Sequence, residues 1–189
     1  PVTYKAADGT AIPGYLTLPP SGAAKNLPAI VMPHGGPSSR DEWGFDWLPQ
    51  FLAARGYAVI QPQYRGSAGF GEKWLNENGF KNWRTSIGDI DASAKWLAAQ
   101  GIADPAKIAI LGWSYGGYMS EWAITQTNRF KAAVSGAGLA DLATEYGTEE
   151  HPSYDEWFYG LPYEKPRLPK EFSNHVHQEC EDSDTDSAR

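Results

Sequence analysis

Cysteine is nearly absent from this 189-residue chain, where Cys180 stands alone. A single thiol excludes an intrachain disulfide and a multi-cysteine metal site, and it leaves the redox compartment open. Long apolar runs are missing too. None approaches the ~20 residues that cross a bilayer, so no transmembrane helix is expected. Positive charge is scarce: 16 Lys and Arg stand against 23 Asp and Glu, a net charge of −7. That sign argues against nucleic acid or an anionic membrane as a partner. No G-x-x-x-x-G-K-[ST] segment occurs, so the glycine-rich loops are not read as phosphate cradles. A signal peptide and an initiator Met are also missing. A chain that starts at Pro1 is expected to be a piece of something longer, or a processed form. The compartment stays open, with a soluble, cytoplasmic setting favoured.

The remaining composition, 41% hydrophobic and 21% charged, is that of a globular domain with a real core. Aromatics reach 13%, including eight Trp and ten Tyr, more than a core of this size needs.

Hydrophobic periodicity orders the chain into alternating elements. Val2–Lys5 and Ile12–Leu18 alternate about an Asp8-Gly9 turn signal and predict an antiparallel hairpin. Ala29–Met32, Tyr57–Ile60, Ile108–Leu111 and Phe130–Ser135 are short apolar runs of strand length. Between them, Phe45–Arg55, Asn82–Ala99 and Tyr118–Thr127 carry helical spacing. Strands alternating with helices predict an α/β fold, a mostly parallel sheet with helices on both faces. Residues 1–165 are read as one domain. From Pro166 to Arg189 the chain is polar and acidic without apolar periodicity, and it is expected to be disordered.

The sharpest chemical signal is Gly112-Trp-Ser-Tyr-Gly116, set between the Ile108–Leu111 strand and the helix that follows. It fits the G-x-S-x-G nucleophile elbow, which forces a serine, here Ser114, onto a tight turn with its hydroxyl exposed. The flanking positions must be small because strand and helix backbones approach closely. The helix N-terminus beside the serine favours negative charge. A plain strand-turn-helix without chemistry is the bland alternative. His34-Gly-Gly-Pro37 directly follows another strand, and its glycines would let main-chain N–H groups approach a ligand.

Together, His34-Gly-Gly-Pro37, the stretch Gly56–Ser67, Gly69-Phe-Gly71 and Gly112-Trp-Ser-Tyr-Gly-Gly117 resemble the catalytic domain of the prolyl oligopeptidase family. The resemblance is greatest to its acylaminoacyl-peptidase and dipeptidyl-peptidase-like branch, and it covers roughly Val2 to Pro166. It implies an α/β-hydrolase fold. It implies a serine hydrolase that cleaves ester or peptide bonds through an acyl-enzyme on Ser114. The Gly36 and Tyr115 N–H groups match the family's oxyanion hole. The substrate would be a peptide or a small ester. No cofactor or metal is implied. Gln63 stands where the family commonly has Asn.

A serine hydroxyl needs a base, and the α/β-hydrolase order is Ser, then acid, then His. In the family, acid and His follow two further strands, and no strand-like run occurs here after Ser135. The sheet is therefore expected to lack its last strands, leaving an exposed edge that could pair with a second copy of the chain. Asp141, followed by His175 or His177, would keep the required order. His34 belongs to the Gly-Gly loop, and His151 reads as a surface residue. The His175/His177 spacing alone is a weak metal signal. The alternative function is a hydrolase-fold fragment without catalysis, acting as a binding or assembly module. Trp43, Trp47, Trp113, Tyr115, Trp157 and Phe158 are candidates for an aromatic acyl pocket. Arg65 and Glu145 could grip a substrate terminus, although a solvated surface role is the expectation for both.

Overall fold

The computed structural model describes residues 1–151 except 23 and 78, together with 153 and 156. The chain divides into two units, Pro1–Gly138 and Leu139–Arg189. The acidic tail, His175, His177, Trp157 and Phe158 lie outside the described residues.

The first unit is built on one sheet. Its strands are β1 (Val2–Lys5), β2 (Ala11–Thr17), β3 (Leu27–Val31), β4 (Ala58–Pro62), β5 (Ala103–Trp113) and β6 (Ala132–Gly136). Their spatial order is β1-β2-β4-β3-β5-β6. β1 and β2 form the predicted antiparallel hairpin, and β2 joins β4 antiparallel. From β4 across β3 and β5 to β6 every pairing is parallel. Each parallel step crosses through a helix: α1 (Trp47–Ala54), α3 (Gly79–Ala99) or α4 (Tyr115–Gln126). A four-residue helix, α2 (Glu72–Leu75), precedes α3, which bends at Asn82.

The core lies where the apolar runs predict. β4 is buried along its whole length, and Ile30, Val31, Ile108 and Ile110 are buried beside it. α3 packs Ile87, Ile90, Ala94 and Leu97 inward. α4 buries eight of its twelve residues, including Tyr115, Tyr118 and Met119. That exceeds one apolar stripe, as expected for a helix enclosed on several sides. At the far edge β6 is exposed along four of its five residues, with Val134 55% accessible. Among the described residues no strand pairs beyond it.

Arg65 is not the solvated surface residue its sequence context predicts. Its Nε and Nη2 donate to Asp89 at 2.9 and 2.6 Å, and its backbone N–H donates to the same carboxylate at 3.0 Å. The Asp89 side chain is fully buried, and only 12% of the Arg65 side chain remains accessible. The guanidinium also meets Asp8 at 2.6 Å. Arg65 thus ties the segment after β4 to α3 and to the β1–β2 turn, and it is not placed to hold a substrate terminus.

In the second unit α5 (Leu142–Thr148) starts just after Asp141, whose carbonyl accepts the Glu145 N–H at 3.0 Å. The Asp141 carboxylate accepts the Thr144 hydroxyl at 2.7 Å.

Candidate active site

The strand order reverses beside β3: the chain moves from β3 to β4 on one side, then crosses to β5 on the other. In open α/β sheets a crevice forms at such a switch point, outside the carboxyl ends of the strands. Three segments meet there: His34–Pro37 after β3, Gln63–Ser67 after β4, and Ser114 after β5.

Ser114 joins β5 to α4 with φ +56° and ψ −124°, a conformation that non-glycine residues rarely adopt. The packing around it imposes this geometry. A Cβ on Gly112 would overlap the carbonyl of Gly116, and a Cβ on Gly116 would overlap the Pro33 carbonyl. Strand, helix and the end of β3 therefore touch through bare backbone. The Ser114 N–H donates to the Gly136 carbonyl at 2.8 Å, so the end of β6 anchors the turn from its other side. The Ser114 hydroxyl makes no capping hydrogen bond to α4. Trp113 lies against Gly136 and is 70% accessible.

The Gly-Gly loop passes directly over the serine. A Cβ placed on Gly35 would stand 3.0 Å from the Trp113 carbonyl and 3.9 Å from Ser114 Oγ. Gly36 has φ +121°, in the region that favours glycine, and its missing Cβ makes room for the backbone of Ser38 and Ser39. Tyr115 opens α4, where backbone N–H groups point out of the helix end.

His34 is half-buried beneath this loop. Its Nδ1 lies 2.7 Å from the Gly35 carbonyl oxygen and its Nε2 lies 2.7 Å from Ser67 Oγ. The ring stacks on Tyr64 at 4.4 Å between centroids, and the Tyr64 hydroxyl donates to the His34 carbonyl at 2.7 Å. Burial pulls the imidazole down to about 4, against the opposing effect of the Gly35 hydrogen bond. His34 is therefore neutral near pH 7, with both ring nitrogens engaged away from Ser114. His151, the other histidine among the described residues, is exposed and belongs to the second unit, as does Asp141.

The proposed aromatic pocket divides. The Tyr115 side chain is fully buried, with ring contacts to Tyr64 and Tyr118, so it is core. Trp43 and Trp47 are 74% and 67% accessible on the segment after the Gly-Gly loop. On that same segment the sequence gives no hint of Asp41. Gln61 Nε2 donates to its Oδ1 at 3.1 Å, while its Oδ2 is buried without a hydrogen-bond partner among the described residues. Burial pushes this carboxyl up to about 7; the Gln61 hydrogen bond opposes the rise and nearby Asp46 adds to it. Among the described residues no group of three or more His, Cys, Asp or Glu side chains is arranged to hold a metal. No described helix is long and apolar enough to cross a membrane.

The comparisons with known proteins agree with this geometry. The dipeptidyl aminopeptidase BIII of Pseudoxanthomonas mexicana is 37% identical over 158 residues, which are 78% of this chain and 23% of that protein. The acylaminoacyl peptidase of Pyrococcus horikoshii superposes with a TM-score of 0.81 at 27% identity, covering 90% of this chain and 28% of that one. A puromycin-hydrolyzing peptidase of Mycobacterium tuberculosis gives a TM-score of 0.80 at 30% identity, covering 93% and 28%. The chain thus spans about a quarter of the length of these relatives. Residues 43–185 match the prolyl oligopeptidase family. With this sheet order and a strained serine at the switch point, the chain belongs to the prolyl oligopeptidase family and carries its α/β-hydrolase fold.

Proposed function

We propose that the protein is a serine peptidase in which Ser114 attacks the carbonyl of a peptide or small ester and carries the acyl group. The observation that carries this reading is the strained φ of Ser114, held with its hydroxyl uncommitted to the helix cap and 3.9 Å from the Cβ position of Gly35. Strain of this kind persists only where surrounding structure over-determines it, and it clusters at functional sites. The Gly36 and Tyr115 N–H groups are the proposed oxyanion donors. They would face the charge that develops on the substrate oxygen, next to the positive end of α4. That relatives carry the names dipeptidyl aminopeptidase and acylaminoacyl peptidase supports short peptides as the proposed substrates of this chain.

His34 is spent on the loop, so the base must be another group. Within this sequence the order Ser114, Asp141, then His175 or His177 meets the α/β-hydrolase requirement. The test is hydrolysis of dipeptidyl and N-acyl-aminoacyl p-nitroanilides, and of a p-nitrophenyl ester, by the protein and its variants. Ser114→Ala should abolish turnover; unchanged turnover would end the reading. Asp141→Ala, His175→Ala and His177→Ala separately decide the triad, and activity indifferent to all three would place the acid and base elsewhere. The second reading, a fold that binds without catalysis, is favoured by one observation. Among the described residues no histidine ring nitrogen is hydrogen-bonded to Ser114. A folded protein that turns over none of these substrates would support it.

A further inference from the structure

Gln63 stands where the family commonly has the shorter Asn, and the fold gives the extra methylene a use. The residue is 2% accessible. Its Nε2 donates to the Asp41 carbonyl at 3.0 Å, and its Oε1 accepts the Asp41 N–H at 3.3 Å. Nε2 can only donate and Oε1 can only accept, so a single orientation of the amide satisfies both contacts. A side-chain amide thus pairs with both main-chain groups of Asp41, as a neighbouring strand would. Gln63 is itself held: its backbone N–H donates to the Pro13 carbonyl of β2 at 2.9 Å. Two residues earlier, on the same side of the chain, Gln61 Nε2 donates to Asp41 Oδ1 at 3.1 Å.

What this pairing holds is the loop over the serine. Residues 32–46 join β3 to α1 without a helix or strand of their own. At the near end the Met32 N–H donates to the Ile60 carbonyl at 2.8 Å. The two glycines follow, with Gly35 passing over Ser114. Gly36 has φ +121°, and successive glycines resist rotation weakly. Their height above the serine is therefore set by the next anchor along the chain. That anchor is the Ser39–Asp41 segment, where the Ala68 N–H donates to the Ser39 carbonyl at 2.9 Å and Gln63 clamps Asp41. Beyond it Trp43 and Phe45 are exposed, so packing holds that part of the loop weakly.

We propose that Gln63 is a positioning residue for hydrolysis: by clamping the Asp41 main chain it sets the height of the Gly-Gly loop over Ser114, and so the width of the slot in which a substrate carbonyl must lie. This role rests on Ser114 as the nucleophile. Asn at position 63 would withdraw the amide by about 1.5 Å, the length of one carbon–carbon bond. Either the pairing breaks, because the contacts stretch beyond hydrogen-bond reach, or the loop is drawn toward β4. Both outcomes move the glycines relative to the serine.

The experiment measures kcat and KM for a p-nitrophenyl ester with wild-type protein, Gln63→Met and Gln63→Asn, each checked by circular dichroism and a urea midpoint. Met keeps the buried volume and removes both hydrogen bonds, whereas Asn keeps the amide and loses the reach. Both should lower kcat by ~10²-fold, the effect of an ångström-scale misplacement, with KM little changed. A residue that only stabilises the fold would lower the urea midpoint and leave the kcat of the folded protein alone. Folded variants with wild-type kcat, or a loss confined to KM, would overturn the proposal. Amide hydrogen exchange gives a readout that needs no activity. The Asp41 N–H should be protected in the wild-type protein, and in Gln63→Met it should exchange roughly tenfold faster relative to amides within β4. An Asp41 N–H that exchanges as an open amide in the wild-type protein would overturn the clamp even if every variant misfolds. Turnover that survives Ser114→Ala would instead refute the nucleophile, and exchange at Asp41 would still decide what Gln63 holds.

Discussion

Replacing Gly112 by Ala tests whether bare-backbone contact builds the serine turn. The added Cβ would overlap the Gly116 carbonyl and stand 2.8 Å from Gly116 Cα. Neither neighbour is a flexible side chain that could swing aside. Gly116 is itself backed by the Pro33 carbonyl, and β5 is held by β3 on one side and β6 on the other. Relief therefore requires β5 and α4 to separate by roughly an ångström, a strain of ~1–3 kcal/mol typical of overpacked interiors. For a domain of this size that corresponds to a melting temperature lower by roughly 2–10 °C. Ser114 sits on the hinge between the two elements, so hydrolysis should fall by ~10²-fold even where the variant stays folded. Differential scanning calorimetry and p-nitrophenyl ester hydrolysis measure the two effects. A Gly112→Ala protein that melts within about 1 °C of wild type and hydrolyses at the same rate would refute the close-contact account.

Three further outcomes follow from the same structure. Gly88→Ala is the opposite kind of change: this glycine lies inside α3 with nothing within 4 Å of its Cβ position. The substitution should stabilise by ~0.5–1 kcal/mol, read as a higher urea midpoint. Arg65→Ala strands the buried Asp89 carboxylate and should destabilise by ~3–5 kcal/mol, with Arg65→Lys recovering only part because the two-pronged contact is lost; an unchanged urea midpoint for Arg65→Ala would contradict the role of this pair. Asp41 bears on pH. Its carboxyl, raised from 3.8 to about 7, binds a proton in the folded state that the unfolded chain has released. Its contribution to stability therefore declines as pH rises from about 4 to about 7, by at most ~4 kcal/mol. His34, lowered from 6.5 to about 4, acts in the opposite direction over an overlapping range and partly masks the trend in the wild-type protein. The clean readout is the difference between Asp41→Asn and wild type, which should grow in favour of the variant across that interval; a pH-independent difference would show that Asp41 titrates normally.

The frame was legible in the sequence because short apolar runs broken by glycine admit few other architectures. Ile108–Leu111 ending at Gly112 marked both a central strand and the turn after it. Boundaries failed where packing overrides local preference. α4 begins at Tyr115, three residues before the periodicity starts, since Gly116 and Gly117 are poor helix formers placed there for close contact. β5 reaches back to Ala103 through Pro105 and Lys107, which carry no strand signal, and its register with β3 shifts between Leu27 and Ala29. α2 is too short at four residues to show a period. The His34–Ser67 and Arg65–Asp89 contacts were invisible for a different reason. They join segments 33 and 24 residues apart in sequence. Only the placement of β4 beside β3, and of α3 against both, brings those side chains together. Asp41 was missed because its environment depends on which side chains of β4 point toward it.

The central claim is that Ser114 is an activated nucleophile. The most direct measurement is reaction of the folded protein with a fluorophosphonate, followed by mass spectrometry of its peptides. The account predicts one adduct per chain, on the peptide containing Ser114, absent from Ser114→Ala and prevented by prior unfolding. A folded protein that takes up no label, or one whose label persists in Ser114→Ala, would contradict it.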